Sequence, residues 1–123
     1  MRAAARGEAY HIPYGGTVVF NYAPDVAQAL VAASRSSFDG AAVFNMPGTV
    51  AHMSELVAAI EAAAPAVAGR ITFDDVQLPL PGELATGGLR AVAPELEVTP
   101  LRDGVAATVE HFRSLAGSEA PRA

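Results

Sequence analysis

The chain has 123 residues, 51% of them hydrophobic, and its 13 acidic and 8 basic side chains leave a net charge of -5. A length of this order suits one compact domain, and the arginines, strung from Arg2 to Arg122 without a cluster, exclude the concentrated basic face that nucleic acid or an anionic membrane surface demands. Cysteine and lysine are both absent, which removes disulfides, thiolate nucleophiles and zinc–thiolate sites together and fits a reducing cytoplasm.

Residues 2–7 are alanine-rich and read as the last turns of a helix stopped by Gly7. A helix this short needs something to lean on, so 1–9 is expected to be the end of a truncated helix. The run 17–22, Thr-Val-Val-Phe-Asn-Tyr, is β-branched and aromatic and predicts a strand. Pro24 suits the first turn of the helix that follows, whose Val26, Ala29, Leu30 and Ala33 recur along one side until about Ser36. A second strand is expected over 41–46, closed by Pro47 and Gly48. The next helix has Met53, Leu56, Val57, Ile60 and Ala63 as its apolar stripe, His52 and Glu55 as an atypical capping box, and Pro65 as its end.

Residues 71–73 predict a third short strand. Pro79 and Pro81 rule out a helix in 76–82, which reads as an extended loop, and a weak helical stretch follows over 87–92. In the last helix Thr99 is the expected cap, Pro100 the first helical residue, and Leu101, Val105, Val109, Phe112 and Leu115 one face, with Gly117 closing it and 118–123 a disordered tail. Long connections between strands favour a parallel or mixed sheet, so the expected fold is α/β, with about three short strands and three to four helices. The apolar runs are too short to cross a bilayer.

Chemistry is harder to find. His11, His52 and His111 stand apart, none at metal-ligand spacing from another histidine or a carboxylate; His52 reads as a helix cap rather than a ligand. Asp74 and Asp75, adjacent in an extended stretch, point to opposite faces and are poorly placed to share a metal or a proton. No Gly-x-Ser-x-Gly elbow is present, and the Gly15-Gly16 and Gly87-Gly88 pairs lack the spaced glycines of a phosphate loop. No catalytic or metal-ligating residue is assigned, and a stand-alone hydrolase or metalloenzyme has almost no residue support.

Four phrases, in order, resemble the C-terminal part of the extended short-chain dehydrogenase/reductases, the NAD-dependent epimerase/dehydratase family. They are Phe20-Asn21-Tyr22-Ala23-Pro24-Asp25-Val26-Ala27, Ala42-Val43-Phe44-Asn45-Met46-Pro47-Gly48, the amphipathic stretch 53–64, and Thr99-Pro100-Leu101-Arg102-Asp103-Gly104-Val105 running on to His111-Phe112-Arg113. The resemblance implies that 10–117 is the substrate-side domain of an NAD(P)-binding fold without its complete Rossmann part. The family's Gly-rich loop and Tyr-x-x-x-Lys pair are missing, so NAD(P) belongs to the full-length family and no cofactor to this chain alone.

The resemblance further implies a small sugar or sugar-acid substrate. Family members acting on nucleotide-sugars carry a diphosphate-binding arginine shortly before the aromatic strand, where this chain has Val18 and Val19. Tyr14, Asn21 and Tyr22 lie where the family borders its substrate cleft; read by themselves they are ordinary strand and turn residues. As partners, the resemblance implies either self-association or a separate dinucleotide-binding domain. A small binding or regulatory module is the alternative.

Overall fold

The structure, a computed structural model, describes residues 1–81 and 83–118. Helix α1 (Arg2–Ala5) is followed by β1 (Tyr10–Ile12), β2 (Thr17–Phe20), α2 (Ala23–Arg35), β3 (Thr49–His52), α3 (Met53–Ala63), a 3₁₀ turn (Pro65–Val67), β4 (Ile71–Phe73), a second 3₁₀ turn (Gly87–Ala91) and α4 (Leu101–Ser118). The fold is α/β, and no helix among the described residues is long and apolar enough to cross a membrane. Of the tail expected over 118–123, Ser118 ends α4 and the remainder lies outside the described residues, as does Gly82 of the expected 76–82 loop.

The strands form two two-stranded sheets rather than one of three. Strand β1 lies parallel to β4, with Tyr10 opposite Ile71 and Ile12 opposite Phe73, while β2 lies antiparallel to β3, with Thr17 opposite His52 and Phe20 opposite Thr49. Gly15, opposite Gln77, links the two pairs. The Gln77 side chain behaves there like one more strand residue, accepting from the Thr17 N–H (2.9 Å) and donating to the Thr17 carbonyl (3.1 Å).

The strand expected over 41–46 does not form. A strand is defined by its ladder to a neighbour, and no described segment pairs with these residues; their side chains are held instead by Asn45 Nδ2 donating to the Ala85 carbonyl (3.0 Å) and by Phe44 meeting Phe38 edge-on at 5.8 Å. The strand comes three residues later, at Thr49–His52, where Pro47 and Gly48 have turned the chain back alongside β2.

The helices follow the apolar pattern more closely. In α3 the expected capping box is present: His52 Nδ1 accepts from the Ser54 N–H (3.2 Å) and Glu55 Oε1 accepts from the His52 N–H (2.9 Å), satisfying amides that a helix start leaves without intrahelical partners. Helices α3 and α4 pack side by side, with Ala4 of α1 against them, and their contact with β4 makes one core of Val57, Ile60, Val67, Ile71, Val105 and Val109. Burying each of the larger side chains stabilises the fold by roughly 1.5–3 kcal/mol, so a core built of alanine and valine is thin. Gly7, at φ +70°, turns the chain out of α1 in a conformation that side chains with a Cβ resist.

At the start of α4 the expectation is corrected by one residue. Helix α4 begins at Leu101, Pro100 supplies the first helical acceptor to the Gly104 N–H, and Thr99 turns its hydroxyl away to a carboxylate on α2. The apolar stripe of α2 is only partly covered. Ala29 is buried, but Leu30 is 68% exposed.

Candidate functional site

Asn21 and Tyr22 are placed by the exit of β2 into α2. Asn21, an exposed residue, donates from Nδ2 to the Pro47 carbonyl at 2.7 Å, which ties this exit to the turn before β3. The turn comes this close because residue 48 is glycine: a Cβ there would meet the Phe20 carbonyl oxygen and sit 2.6 Å from Asn21 Nδ2. Tyr22 occupies the N-cap position of α2, and its side chain lies close enough to α4 that a Cβ on Gly104 would be 3.2 Å from it.

What fixes this arrangement is a buried carboxylate. Asp25, 4% exposed in the first turn of α2, accepts from the Thr99 N–H at 2.8 Å through Oδ2 and from the Thr99 hydroxyl at 2.7 Å through Oδ1. Both distances lie in the charge-assisted range. The bonds pin the start of α2 to the start of α4, the two ends between which Tyr22 is held. Asp25 was legible in the sequence only as a helix-start acid; its partner stands 74 residues away.

Asn21 and Tyr22 border a cleft of about 90 Å³ with Leu56, Gly104 and Thr108, while Tyr14 borders a different cleft, of about 200 Å³, with Tyr10, Ile12 and Met53. Met1 and Leu56 line both. The three expected residues therefore face adjoining clefts separated by one apolar wall, and neither cleft alone reaches the ~300 Å³ at which small-molecule pockets usually begin.

A wider cleft of about 510 Å³ opens between α2 and residues 38–46, walled by Val26, Leu30, Phe38, Phe44 and Leu89. No charged side chain lines it, and the hydroxyl of Ser36 on its rim is already donated to the Ala33 carbonyl. A sugar, which needs hydrogen bonds for its hydroxyls, finds little there.

The parallel register of β1 and β4 also gathers three polar residues that sequence spacing keeps apart. His11 stands beside Thr72, Nδ1 lying 2.8 Å from the hydroxyl, and its Nε2 is 3.2 Å from Asp74 Oδ1. Sixty-one residues separate His11 from Thr72, so no linear motif announces the cluster. It is about half exposed (53% for His11, 51% for Asp74) and stands outside the clefts just described. A water-screened pair of this kind contributes little to stability, roughly 0–1 kcal/mol. Among the described residues no three histidine or carboxylate groups converge on a metal position.

The residues present do not fit a dinucleotide. A pyrophosphate is held by spaced glycines opening a helix after a strand; here α2 opens on Asn21-Tyr22-Ala23-Pro24, α3 on His52 with an amide already taken by the cap, and α4 on Pro100.

No family model and no curated protein sequence matches the chain. Solved structures do. UDP-glucuronic acid 4-epimerase from Bacillus cereus, in complex with UDP-glucuronic acid and NAD, superposes with a TM-score of 0.69 at 17% identity over 93% of this chain. The same enzyme with NAD alone gives a TM-score of 0.62 at 17% identity, again over 93% of this chain. The likeness shows the fold. This chain spans 38% of the first of those chains and 37% of the second, little more than a third of their length.

Proposed function

We propose that this chain is the substrate-facing part of an NAD(P)-dependent epimerase or dehydratase acting on a sugar or sugar acid, and that it does not catalyse alone. The observation that carries the reading is the fold: nearly the whole chain superposes on an epimerase, while covering only 38% of it. Three of the four sequence phrases coincide with elements of this fold, the β2–α2 exit, α3 and α4, and the Gly-rich loop and Tyr-x-x-x-Lys pair of such enzymes have no counterpart in a chain without lysine.

In this reading Asn21 Oδ1 accepts from a sugar hydroxyl, its amide nitrogen being fixed by Pro47, and Tyr22 and Tyr14 offer an apolar ring face with a hydroxyl at its edge. A ring lying over Leu56 would touch both small clefts. With Val18 buried and Val19 partly so at the positions where nucleotide-sugar enzymes of this kind place an arginine, a diphosphate finds no forked donor there. The substrate is then a free sugar or sugar acid.

Amide shifts recorded by NMR while glucuronic acid is titrated into the labelled chain test this. Shifts centred on Tyr14, Asn21 and Tyr22, weakened in Asn21→Ala, support the reading; shifts elsewhere, or none at concentrations that saturate ordinary sugar sites, refute it.

The second reading is one half of a split enzyme, or a small binding module, favoured by the absence of the dinucleotide loop from this sequence. Pull-down with the products of neighbouring reading frames separates the two. A captured chain carrying Gly-x-x-Gly-x-x-Gly and Tyr-x-x-x-Lys makes this a split enzyme, and an unrelated one makes it a module.

A further inference from the structure

The second 3₁₀ turn and the stretch that leads from it to α4 enclose one further cleft. Its volume is about 280 Å³, larger than either cleft beside Tyr22 or Tyr14 and close to the ~300 Å³ at which small-molecule pockets usually begin. Leu89, Ala93 and Leu96 give it apolar surface, and three polar side chains, Thr86, Arg90 and Glu97, also line it. Arg90 and Glu97 carry opposite charges yet do not reach each other. Among the described residues neither side chain takes part in an ion pair or a hydrogen bond, and the Thr86 side chain, at the N-cap of the 3₁₀ turn, makes no capping bond.

The backbone fixes where these groups stand. The Leu89 carbonyl accepts from the Val92 and Ala93 N–H groups (3.0 and 2.9 Å), both of those residues are buried, and the Ala93 carbonyl accepts from the Leu96 N–H (3.3 Å). Two residues beyond Glu97, Thr99 is clamped by Asp25. A ligand that binds between anchored segments has less chain to order, which lowers the entropic cost of binding.

We propose that this cleft binds a free α-amino acid with an apolar side chain, its carboxylate on Arg90, its ammonium on Glu97 and its side chain over Leu89, Ala93 and Leu96. The charges select the class. An anion alone would gain Arg90 and be repelled by Glu97, and a cation alone the reverse, whereas a zwitterion satisfies both. A guanidinium offers a carboxylate two parallel N–H donors, and a carboxylate accepts from an ammonium, so each ligand charge has the partner it needs. The Thr86 hydroxyl remains available as a further donor or acceptor. The apolar residues then take a side chain such as that of leucine, which gains by leaving water. The cleft shares no lining residue with those at Tyr22 and Tyr14, so the proposal stands or falls apart from the sugar reading.

Amide shifts of the labelled full chain during a titration with leucine test the proposal. The expected result is saturable shifts centred on residues 86–98, with a dissociation constant of about 1 mM or below. Leucinamide, which lacks the carboxylate, and N-acetylleucine, which lacks the ammonium, bind at least ~10-fold more weakly, and Arg90→Gln and Glu97→Gln each weaken leucine binding ~10-fold. Both positions are exposed, so both variants keep the wild-type circular dichroism, while Arg35→Gln, at an exposed arginine outside the cleft, binds leucine like wild type. The absence of saturable shifts up to ~10 mM leucine overturns the proposal. So do shifts that saturate only outside 86–98, leucinamide or N-acetylleucine binding as tightly as leucine, and an Arg90→Gln or Glu97→Gln chain that binds like wild type.

Discussion

Replacing Asp25 by alanine removes the one buried carboxylate among the described residues and, with it, the tie between α2 and α4. Two bonds are lost, to the Thr99 N–H at 2.8 Å and to its hydroxyl at 2.7 Å. A hydrogen bond to a charged group contributes about 1.5–3 kcal/mol, so the gross loss is roughly 3–6 kcal/mol. Against this stands the cost of desolvating the carboxylate on folding, which the alanine variant escapes. Thr99, only part-buried, can also recover water for its stranded donors. The net destabilisation is therefore expected at about 2–4 kcal/mol, a large share of the ~5–15 kcal/mol that holds a domain folded. Asp25→Asn keeps the shape and an acceptor for the Thr99 N–H, and its amide nitrogen can donate to the rotated Thr99 hydroxyl, so it loses the charge assistance of both bonds and costs less than Asp25→Ala.

Urea titration followed by far-ultraviolet circular dichroism measures both variants, with an unchanged m-value showing that the unfolded state is not what has moved. A double-mutant cycle with Thr99→Val isolates the hydroxyl contact, for which a coupling of about 1–2 kcal/mol is expected. An Asp25→Ala variant less than ~0.5 kcal/mol below wild type, or a coupling near zero, would refute the argument that this bond sets the α2–α4 junction.

Gly48→Ala forces a Cβ onto the Phe20 carbonyl oxygen and to within 2.6 Å of Asn21 Nδ2, so the turn must open; the expected cost is about 1–3 kcal/mol in urea denaturation, with the Asn21 side-chain amide signal shifted in the NMR spectrum. His52→Ala strips the α3 cap and should cost about 0.5–2 kcal/mol, whereas His52→Asn, which offers a side-chain acceptor in the same place, should recover most of it.

How far the sequence carries is visible at particular residues. The stripes of α3 and α4 and the His52–Glu55 box were legible because helical order is written within a few positions, where neighbours three and four apart meet. Strand β1 is not legible in the sequence: Tyr10-His11-Ile12 is three residues long, and what makes it a strand is Ile71–Phe73, far along the chain. The reverse error fell on 41–46, where the residue pattern is right and no described partner exists. The site divides in the same way. Asn21 and Tyr22 could be picked out from a strand-to-helix phrase, but Asp25–Thr99, His11–Asp74 and the wall at Leu56 are products of long-range packing that local pattern cannot encode.

The most direct test of the division of labour proposed for this chain is a pair of calorimetric titrations on the purified polypeptide, one with a sugar acid and one with NAD. The account predicts saturable heat from the sugar acid and none from NAD. Tight NAD binding, joined by growth of reduced-nicotinamide absorbance when a sugar is added to the chain alone, would contradict it.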